Sequence, residues 1–386
     1  MAGIYVHIPF CKQACHYCDF HFSTSLSKKD NVIKALQSEL VLQKNYLGTQ
    51  LIETIYLGGG TPSLLKASEV QLLIDQIATH FNLSNNVEIT LEANPDDLDT
   101  QKVKELKQTS INRFSIGVQS FFEEDLVWMN RAHTAQEAQS SIKRVQDAGF
   151  DNITIDLIYG YPLLSNEKWE SALHQTIDLQ VPHISSYAMT VEPQTALASF
   201  IRRGKQKALD EVQSSEQFVQ LMIHLEQAGF DHYEISNFAK PGKHSQHNSN
   251  YWAGIPYLGI GPSAHSFNGE SRQWNIANNA LYLESIQSNK IPAELEILTT
   301  INRINEYIMT SLRTNLGMNI SKIHQEFGEE YAGRTEQQLD RFIEKNWITI
   351  NNHVVVLTRT GKLFADYIAS ELFFEEGHSS EAKSKR

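Results

Sequence analysis

The sequence predicts an α/β protein in which six strand-and-helix units form an incomplete (β/α)6 barrel. From residue 1 to about residue 190, short β-rich segments alternate with longer segments of helical pattern. The strand candidates are apolar runs, as in a sheet that is covered on both faces. Right-handed crossovers would place every helix outside and bring the loops that follow the strands to one rim, where a binding site is expected.

The elements of this barrel can be assigned in chain order. The predicted strands are residues 3–8, 52–57, 87–91, 113–118, 152–158 and 183–189, and each precedes a helical segment. The first helix is predicted over residues 29–44, because Val32, Ile33, Leu36 and Leu40 recur at helical spacing. Residues 1–195 are therefore predicted to form the barrel with its binding site.

Three further segments are predicted after the barrel. Residues 196–295 form a barrel extension with one long helix that ends at Gly229 and a loop-rich stretch over residues 232–267. Residues 296–375 form a small winged-helix-like domain, with helices over 300–313, 320–327 and 336–345, strands over 347–350 and 354–357, and a last helix. Residues 376–386 are polar and are predicted to be a disordered tail.

Composition and charge exclude several classes of protein. The 386 residues are enough to bury a core, and 33 basic against 45 acidic residues give a net charge of −12. That sign opposes binding to phosphate backbones, so no nucleic acid partner is expected. No apolar run reaches the roughly 18 residues of a membrane span, and the first residues lack the features of a leader. We therefore expect a cytoplasmic protein.

The three cysteines of the chain, Cys11, Cys15 and Cys18, lie within eight residues directly after the first strand. This clustering excludes disulfides between distant parts of the fold. Soft thiolates select iron–sulfur clusters or zinc. Zinc would need a fourth ligand, which a nearby histidine could supply: His7, His16 or His21. Ferredoxin patterns provide four thiolates for each cubane, so three thiolates would leave one iron without a protein ligand.

This C-x3-C-x2-C loop, with Tyr17 before the third cysteine, resembles the signature of radical S-adenosylmethionine proteins. The resemblance implies a radical SAM barrel that holds a [4Fe-4S] cluster on three cysteines, and S-adenosylmethionine whose amine and carboxylate chelate the open iron. The glycine-rich turn after the second strand resembles the element of this superfamily that contacts the methionine amine. Its residues are Gly59, Gly60 and Thr61.

Four polar side chains lie at or near the ends of the predicted strands. Glu92 ends the third strand, Gln119 ends the fourth, Arg131 follows the fourth, and Asp156 lies within the fifth. With two tyrosines, they resemble the cofactor-binding positions of oxygen-independent coproporphyrinogen III oxidase, a likeness that extends over nearly the whole chain. The resemblance implies S-adenosylmethionine contacts by Tyr5, Tyr17, Glu92, Gln119, Arg131 and Asp156. Glu92 and Asp156 would bond amine or ribose groups, Arg131 the carboxylate, and Tyr17 would pack against adenine.

Three departures separate the chain from the oxidase. Phe20 stands where the oxidase has a further cysteine, and only four residues precede Tyr5, where the oxidase has an extension. The third departure is an H-N-x-x-Y-W element, which is similar to the heme chaperone branch of the family. It implies heme contact by His247, Asn248, Tyr251 and Trp252. A neutral imidazole can ligate iron, and aromatic rings offer flat faces to a porphyrin. His265 is left unassigned.

The resemblance therefore predicts a protein that binds heme and passes it to a heme-accepting protein of unknown identity. No catalytic residue is assigned. The alternative is an oxidase in which a deoxyadenosyl radical takes hydrogen from coproporphyrinogen III propionates to drive oxidative decarboxylation. A DNA-binding regulator that uses the winged helix is opposed by the acidic charge. The resemblance leaves open a homodimer, and also a weak, peripheral membrane association made through the acceptor.

Overall fold

The computed structural model describes residues 1–375, so the predicted disordered tail, residues 376–386, lies outside the described residues. The chain forms two compact units. The first comprises residues 1–232, 236–251 and 255–296. The second comprises residues 233–235, 252–254 and 297–375. Within the described residues, no helix is long and apolar enough to cross a membrane.

One twelve-stranded sheet and ten α-helices build the part of the chain up to Ile297. The strands are β1 (Ala2–Ile8), β2 (Ile52–Gly59), β3 (Leu83–Ala93), β4 (Arg113–Gln119), β5 (Ile153–Tyr159), β6 (His183–Ala188), β7 (Asp231–Glu234), β8 (Asn237–Ala239), β9 (Tyr257–Ile260), β10 (His265–Phe267), β11 (Ser271–Asn275) and β12 (Ala293–Ile297). The helices are α1 (Lys29–Leu42), α2 (Ala67–His80), α3 (Thr100–Leu106), α4 (Glu123–Met129), α5 (Ala135–Asp147), α6 (Asn166–Asp178), α7 (Ala196–Arg202), α8 (Glu211–Gln227), α9 (Gln246–Trp252) and α10 (Asn279–Gln287).

The predicted α/β barrel fold is confirmed. Strands β1 to β6 are neighbours in chain order and pair in parallel, with Tyr5 opposite Tyr56 and Tyr56 opposite Thr90. At least one helix follows each of these strands, as the alternating pattern indicates. Parallel pairing places the carboxyl ends of the six strands at the same rim. The loops that follow β1 to β5 therefore converge there.

The loop-rich stretch predicted over residues 232–267 is wrong, because this segment supplies strands on both sides of the six parallel strands. Strand β9 pairs in parallel with β1, with Gly259 opposite Tyr5. Strand β8 pairs antiparallel with β6, with Phe238 opposite Ile184. These strands have only three or four residues, too few to show a period, although Phe238 and Leu258 are fully buried.

A buried carboxyl group joins this extension to the first barrel helix. Glu39 of α1 accepts hydrogen bonds from the Tyr282 hydroxyl at 2.6 Å, Asn275 Nδ2 at 2.6 Å, the Gly261 N–H at 2.8 Å and Gln43 Nε2 at 2.8 Å. Burial raises the pKa of Glu39 in spite of these donors. Three of these four partners lie after residue 255, so the buried carboxyl fixes that part of the chain against α1.

As far as residue 375, the second unit contains a three-stranded sheet and five helices. Its helices are α11 (Thr300–Leu312), α12 (Ile320–Phe327), α13 (Glu329–Glu344), α14 (Arg359–Lys362) and α15 (Ala365–Glu371), and its strands β13 (Met318–Asn319), β14 (Ile348–Asn351) and β15 (Val354–Leu357) lie in the order β13-β15-β14. The core includes Ile304, Ile308 and Phe342. Helix α13 begins seven residues before the predicted start at residue 336, directly after Gly328.

Candidate functional site

The cysteine loop leaves the end of β1 and is fixed on both sides by hydrogen bonds. The Cys11 N–H donates to the Ser23 carbonyl at 3.1 Å. On the other side, Gln13 Nε2 donates to Asn130 Oδ1 at 2.7 Å, and Asn130 Nδ2 donates to the Ala14 carbonyl at 2.7 Å. Asn130 ends α4 in the left-handed conformation, with φ of 59°. The end of α4 thus holds the loop in place.

A cavity of about 440 Å³ opens beneath this loop at the carboxyl ends of the strands. Eleven residues that the sequence predicts as cluster or cofactor ligands line it: Cys11, Cys15, Tyr17, Cys18, Gly59, Gly60, Thr61, Glu92, Gln119, Arg131 and Asp156. They come from the loops or ends of the first five strands. Their convergence follows from parallel pairing, which brings all these strand ends to the same rim.

The spacing of the three thiols bears on the zinc alternative. Among the described residues, the three Sγ atoms are not a group whose potential ligand atoms all lie within 4.8 Å. Two thiolates on one tetrahedral zinc would be about 3.8 Å apart, given Zn–S bonds of about 2.3 Å. In this conformation the three Sγ atoms are therefore not all at the separations that one tetrahedral zinc ion requires.

The nearby histidines have other partners. His16 Nδ1 donates to the Trp128 carbonyl at 2.9 Å, and His7 Nε2 donates to the His21 carbonyl at 2.9 Å. His21 Nε2 bonds Asn279 Oδ1 at 2.8 Å. None of the three lines the described cavity. These contacts disfavour a histidine as a fourth zinc ligand.

Burial raises the pKa of two of the three thiols, so these two groups would ionise when a metal cation binds to them. Burial raises the pKa of Cys11, and it raises the pKa of Cys18 to about 11. A hydrogen bond from Thr61 and the charge of Arg131 oppose the rise at Cys11. Metal coordination deprotonates thiols outright. Cys11 and Cys18 are therefore neutral thiols that become thiolates when metal binds.

Arg131 is the cationic group of the cavity. Its Nη1 donates to Cys15 Sγ at 3.3 Å, and its Nη2 donates to Asn94 Oδ1 at 2.8 Å and to the Gly117 carbonyl at 2.9 Å. Although burial disfavours its charge, Tyr17 and Cys15 keep the pKa of Arg131 above its ordinary value. Its Nε is buried and has no hydrogen-bond partner among the residues that the structure describes. This donor is available to an anionic ligand group.

Two carboxyl groups face the same space. Glu92 accepts hydrogen bonds from the Tyr56 hydroxyl at 2.8 Å and from the Gly59 N–H at 3.1 Å, yet burial raises its pKa. Burial, followed by the charge of Glu92, raises the pKa of Asp156 to about 7. A ligand with an amine or hydroxyl groups would relieve the desolvation of this pair.

The glycine turn is required by the protein's own packing. A Cβ on Gly60 would lie 2.6 Å from the Phe10 carbonyl oxygen, and a Cβ on Gly59, whose φ is +103°, would lie 2.4 Å from the His7 ring. The two glycines therefore allow the backbone of this turn to lie close to the end of β1 and to the start of the cysteine loop. The same glycines also line the cavity, so they bring β2 and the thiols together.

Tyr5 is the one predicted S-adenosylmethionine contact that does not line the cavity. Its hydroxyl donates to His7 Nδ1 at 3.1 Å, and its ring stacks on Tyr56 with 6.1 Å between centroids. Tyr5 therefore packs behind the cavity wall and does not face the ligand. Cavity residues that the sequence analysis did not single out include Asn94, Ser115, Gly117, Phe22 and Tyr187. The period of two in β4 would have indicated Ser115 and Gly117 with Gln119.

The predicted heme histidine lies at the other end of the barrel. His247 Nδ1 shares a hydrogen bond of 2.8 Å with Thr54 Oγ1, and its backbone N–H donates to Glu88 Oε1 at 3.1 Å. Thr54 and Glu88 precede the cavity-lining ends of β2 and β3 by several residues. Burial and the charge of Arg113 lower the pKa of His247 to about 4, so the imidazole is neutral.

The other predicted heme residues have different surroundings. The Asn248 N–H donates to Ser245 Oγ at 3.4 Å, and the Tyr251 side chain is exposed, with its ring 5.5 Å from that of Tyr257. Trp252 belongs to the second unit, where the Arg313 guanidinium lies 5.0 Å from its ring centroid. All four residues belong to helix α9, which is seven residues long. Of the four, His247 has its ring stacked on Tyr56.

The fold and the cysteine cavity define the class of radical S-adenosylmethionine proteins. The model of the Radical SAM superfamily matches residues 5–175, and the model of the HemN C-terminal domain matches residues 298–364. The solved structure of coproporphyrinogen III oxidase (HemN) from Escherichia coli has the same fold, with a TM-score of 0.83 at 22% identity over 96% of this chain and 90% of that chain.

Curated relatives define the family more narrowly. The chain is 33% identical to the heme chaperone HemW of Bacillus subtilis over 95% of this chain and 98% of that protein. It is 30% identical to HemW of Mycobacterium tuberculosis over 96% and 94%, and 38% identical to HemW of Escherichia coli over 68% and 69%. The chain therefore belongs to the HemW family.

The residues of the cavity fit the cofactors that the radical SAM family implies, a [4Fe-4S] cluster and S-adenosylmethionine. Three cysteines on one fixed loop supply the soft ligands that iron–sulfur clusters require. The buried, unpartnered Nε of Arg131 suits a carboxylate, and the carboxyl pair suits an amine or ribose hydroxyls. The donor set thus complements the carboxylate and the amine or ribose hydroxyls of S-adenosylmethionine.

Proposed function

We propose that this chain is a heme chaperone, which binds heme and transfers it to an acceptor protein. The observation that carries the proposal is the match to HemW proteins along nearly the whole chain. The neutral imidazole of His247 supports it, because iron ligation needs an unprotonated nitrogen. Phe20, with 69% of its surface exposed at the cavity, supports a branch without the oxidase's further cysteine.

In this proposal, Cys11, Cys15 and Cys18 hold a [4Fe-4S] cluster, and S-adenosylmethionine binds beside it. Arg131 takes the carboxylate, Glu92 and Asp156 take amine or ribose groups, and Tyr17 packs against adenine. When bound, the two cofactors supply one-electron reductive chemistry at the sulfonium. The protein's own residues orient the ligand and neutralise its charges.

Heme binds through His247 in this proposal, and Asn248, Tyr251 and Trp252 contribute contacts from the same helix. Nδ1 of His247 is bonded to Thr54, so Nε2 is the nitrogen that iron would take without loss of this bond. Alternatively, rotation of the ring away from Thr54 would free Nδ1. The heme site is thus separate from the cysteine cavity at the opposite end of the strands.

Heme titration tests the proposal. Purified wild-type chain and the His247→Ala variant are titrated with hemin and followed by the Soret band. We expect the variant to bind at least about tenfold more weakly, as loss of an axial ligand requires, and to pass less heme to apomyoglobin as a probe acceptor. His80→Ala, at the end of α2, is the matched control. Equal affinity in wild type and His247→Ala would remove His247 from the site.

A second assay separates chaperone from enzyme. Anaerobically reconstituted chain is incubated with S-adenosylmethionine, reductant and coproporphyrinogen III, and protoporphyrinogen is measured. We expect no multiple turnover. Sustained product formation would overturn the chaperone proposal and establish the oxidase alternative, whatever the heme titration shows.

A further inference from the structure

Helices α6 and α8 bring three potential metal ligands together on the outside of the barrel. Potential ligand atoms of Glu170, His174 and His224 all lie within 4.8 Å of one another. Nε2 of His174 is 3.8 Å from Glu170 Oε1, and Nε2 of His224 is 3.6 Å from the same oxygen. None of these residues lines the cysteine cavity, so the cluster has no part in the site already described.

The helix packing determines this arrangement. Glu170 and His174 are four residues apart on α6 and so share one face of the helix. Next to Glu170, the buried Trp169 donates its Nε1–H to the Gln217 carbonyl of α8 at 2.9 Å. His224 follows Gln217 by about two helical turns, which places it beside Glu170. A buried indole therefore holds the two helices at the spacing that the cluster needs.

The protonation of His224 leaves one nitrogen available. Its Nδ1 donates a hydrogen bond to the Gln220 carbonyl at 2.9 Å. A carbonyl accepts only, so the proton of the neutral ring is on Nδ1 and the Nε2 lone pair is directed at Glu170. A backbone carbonyl that fixes the tautomer in this way is the usual outer partner of metal-bound histidine.

The carboxylate of Glu170 is paired with histidines. Among the described residues, its ion pairs within 4.0 Å are with His174 and His224, and none is with a lysine or an arginine. The Nε2 lone pair of a neutral His224 would repel the carboxylate oxygen. A proton on this nitrogen or a metal ion among the three groups removes the repulsion.

We propose that Glu170, His174 and His224 form a surface site for a divalent transition-metal ion, with Zn²⁺ the best match. Two imidazole nitrogens and one carboxylate oxygen are a known three-ligand set of zinc, with water at the fourth position. Hard ions such as Mg²⁺ prefer oxygen ligands and fit poorly. A bound ion joins α6 to α8 and stabilises the folded chain by mass action.

The test is a titration of the full-length chain with ZnCl₂, followed calorimetrically, with Cys11, Cys15 and Cys18 replaced by serine so that thiolates do not compete. We expect one ion per chain. His174→Ala and His224→Ala should each weaken binding at least about tenfold, since even the loss of an outer partner costs that much. His80→Ala, a histidine near the end of α2, is the matched control and should leave affinity unchanged.

A second measurement guards against variants that fold poorly. Zn²⁺ should raise the unfolding temperature of the parent and of His80→Ala, and should not raise that of His174→Ala, whose side chain is 63% exposed and makes little contribution to the core. Absence of Zn²⁺ binding to the parent would overturn the site. Equal affinities in the parent and in both cluster variants would also overturn it.

Discussion

The Tyr56 hydroxyl donates a hydrogen bond of 2.8 Å to Glu92, while the Tyr56 ring stacks on His247 with 5.0 Å between ring centroids. One side chain thus contacts a carboxyl group of the cysteine cavity and the histidine at the opposite end of the barrel. Glu92 also accepts from the Gly59 N–H, which belongs to the cavity wall. Tyr56 therefore connects the proposed cofactor and heme sites directly.

Tyr56→Phe tests this connection. The variant leaves Glu92 with one donor fewer, so the pKa of Glu92 should rise further and the free energy of unfolding should fall by about 1–3 kcal/mol. We expect weaker binding of S-adenosylmethionine to the reconstituted variant, measured by equilibrium dialysis. We also expect an altered heme affinity, because the ring that stacks on His247 loses its anchor.

Tyr46→Phe is the control for this variant. The Tyr46 hydroxyl is buried and has no hydrogen-bond partner, so its removal should leave both affinities unchanged and should not lower stability. If Tyr56→Phe behaved like Tyr46→Phe in stability, S-adenosylmethionine binding and heme binding, the hydrogen bond to Glu92 would contribute to none of the three.

Thr54→Val probes the hydrogen bond that engages His247 Nδ1. Valine matches the shape of threonine but cannot bond the imidazole, so the ring is freed to turn toward iron. We expect tighter hemin binding than in wild type if heme must compete with Thr54, measured by the same Soret titration. Combination with His247→Ala provides the check, because the gain from Thr54→Val should vanish when the histidine is absent.

Asp156 should make the stability of the cofactor-free chain depend on pH. Its folded-state pKa, about 7, lies above the ordinary value of 3.8, so the native state binds the extra proton between these values. Its stabilising contribution is complete below about pH 4 and is lost as the pH rises through 7. The unfolding free energy of wild type minus that of Asp156→Asn should therefore fall from pH 5 to 7.5, by at most about 1.4 kcal/mol per pH unit.

Buried histidines act in the opposite direction and explain why a difference is measured. Burial lowers the pKa of His7, His133 and His247 to about 4, so each contributes stability that is lost as the pH falls from 6.5 through 4. Both proteins carry these histidines, and their contributions cancel in the subtraction. A difference that stays flat across urea unfolding curves at pH 5, 6, 7 and 7.5 would contradict the raised pKa of Asp156.

Asn130 should determine how well the cysteine loop retains a cluster. Asn130→Gly keeps the left-handed backbone but removes the bonds to Gln13 and Ala14, whereas Asn130→Ala also strains φ, at a cost of about 1 kcal/mol more. We expect both reconstituted variants to lose cluster absorbance in air faster than wild type. Asn346→Gly, at another left-handed helix end, should retain the wild-type rate.

The local pattern of apolar residues was sufficient to predict most of the strands of the barrel. The strands β1 to β6 were predictable because each is an apolar run between helical segments, and parallel pairing then places their carboxyl ends together. This is why cysteines of one loop and side chains of later strands could be assigned to one site without coordinates. Pattern failed for β8 and β9, whose three or four residues show no period and gain their burial from strands far away in the chain.

The sequence by itself determined the cysteine triad, the barrel and the cavity-lining strand ends, because these depend on local spacing and on the fixed geometry of parallel strands. Only the tertiary structure placed Tyr5 behind the cavity wall, His247 at the opposite end of the barrel, and Glu170 beside His224. Such placements depend on contacts between residues far apart in the chain: Thr54 and His247 are separated by 193 positions. No local period reports which distant side chains the packing of a fold brings together.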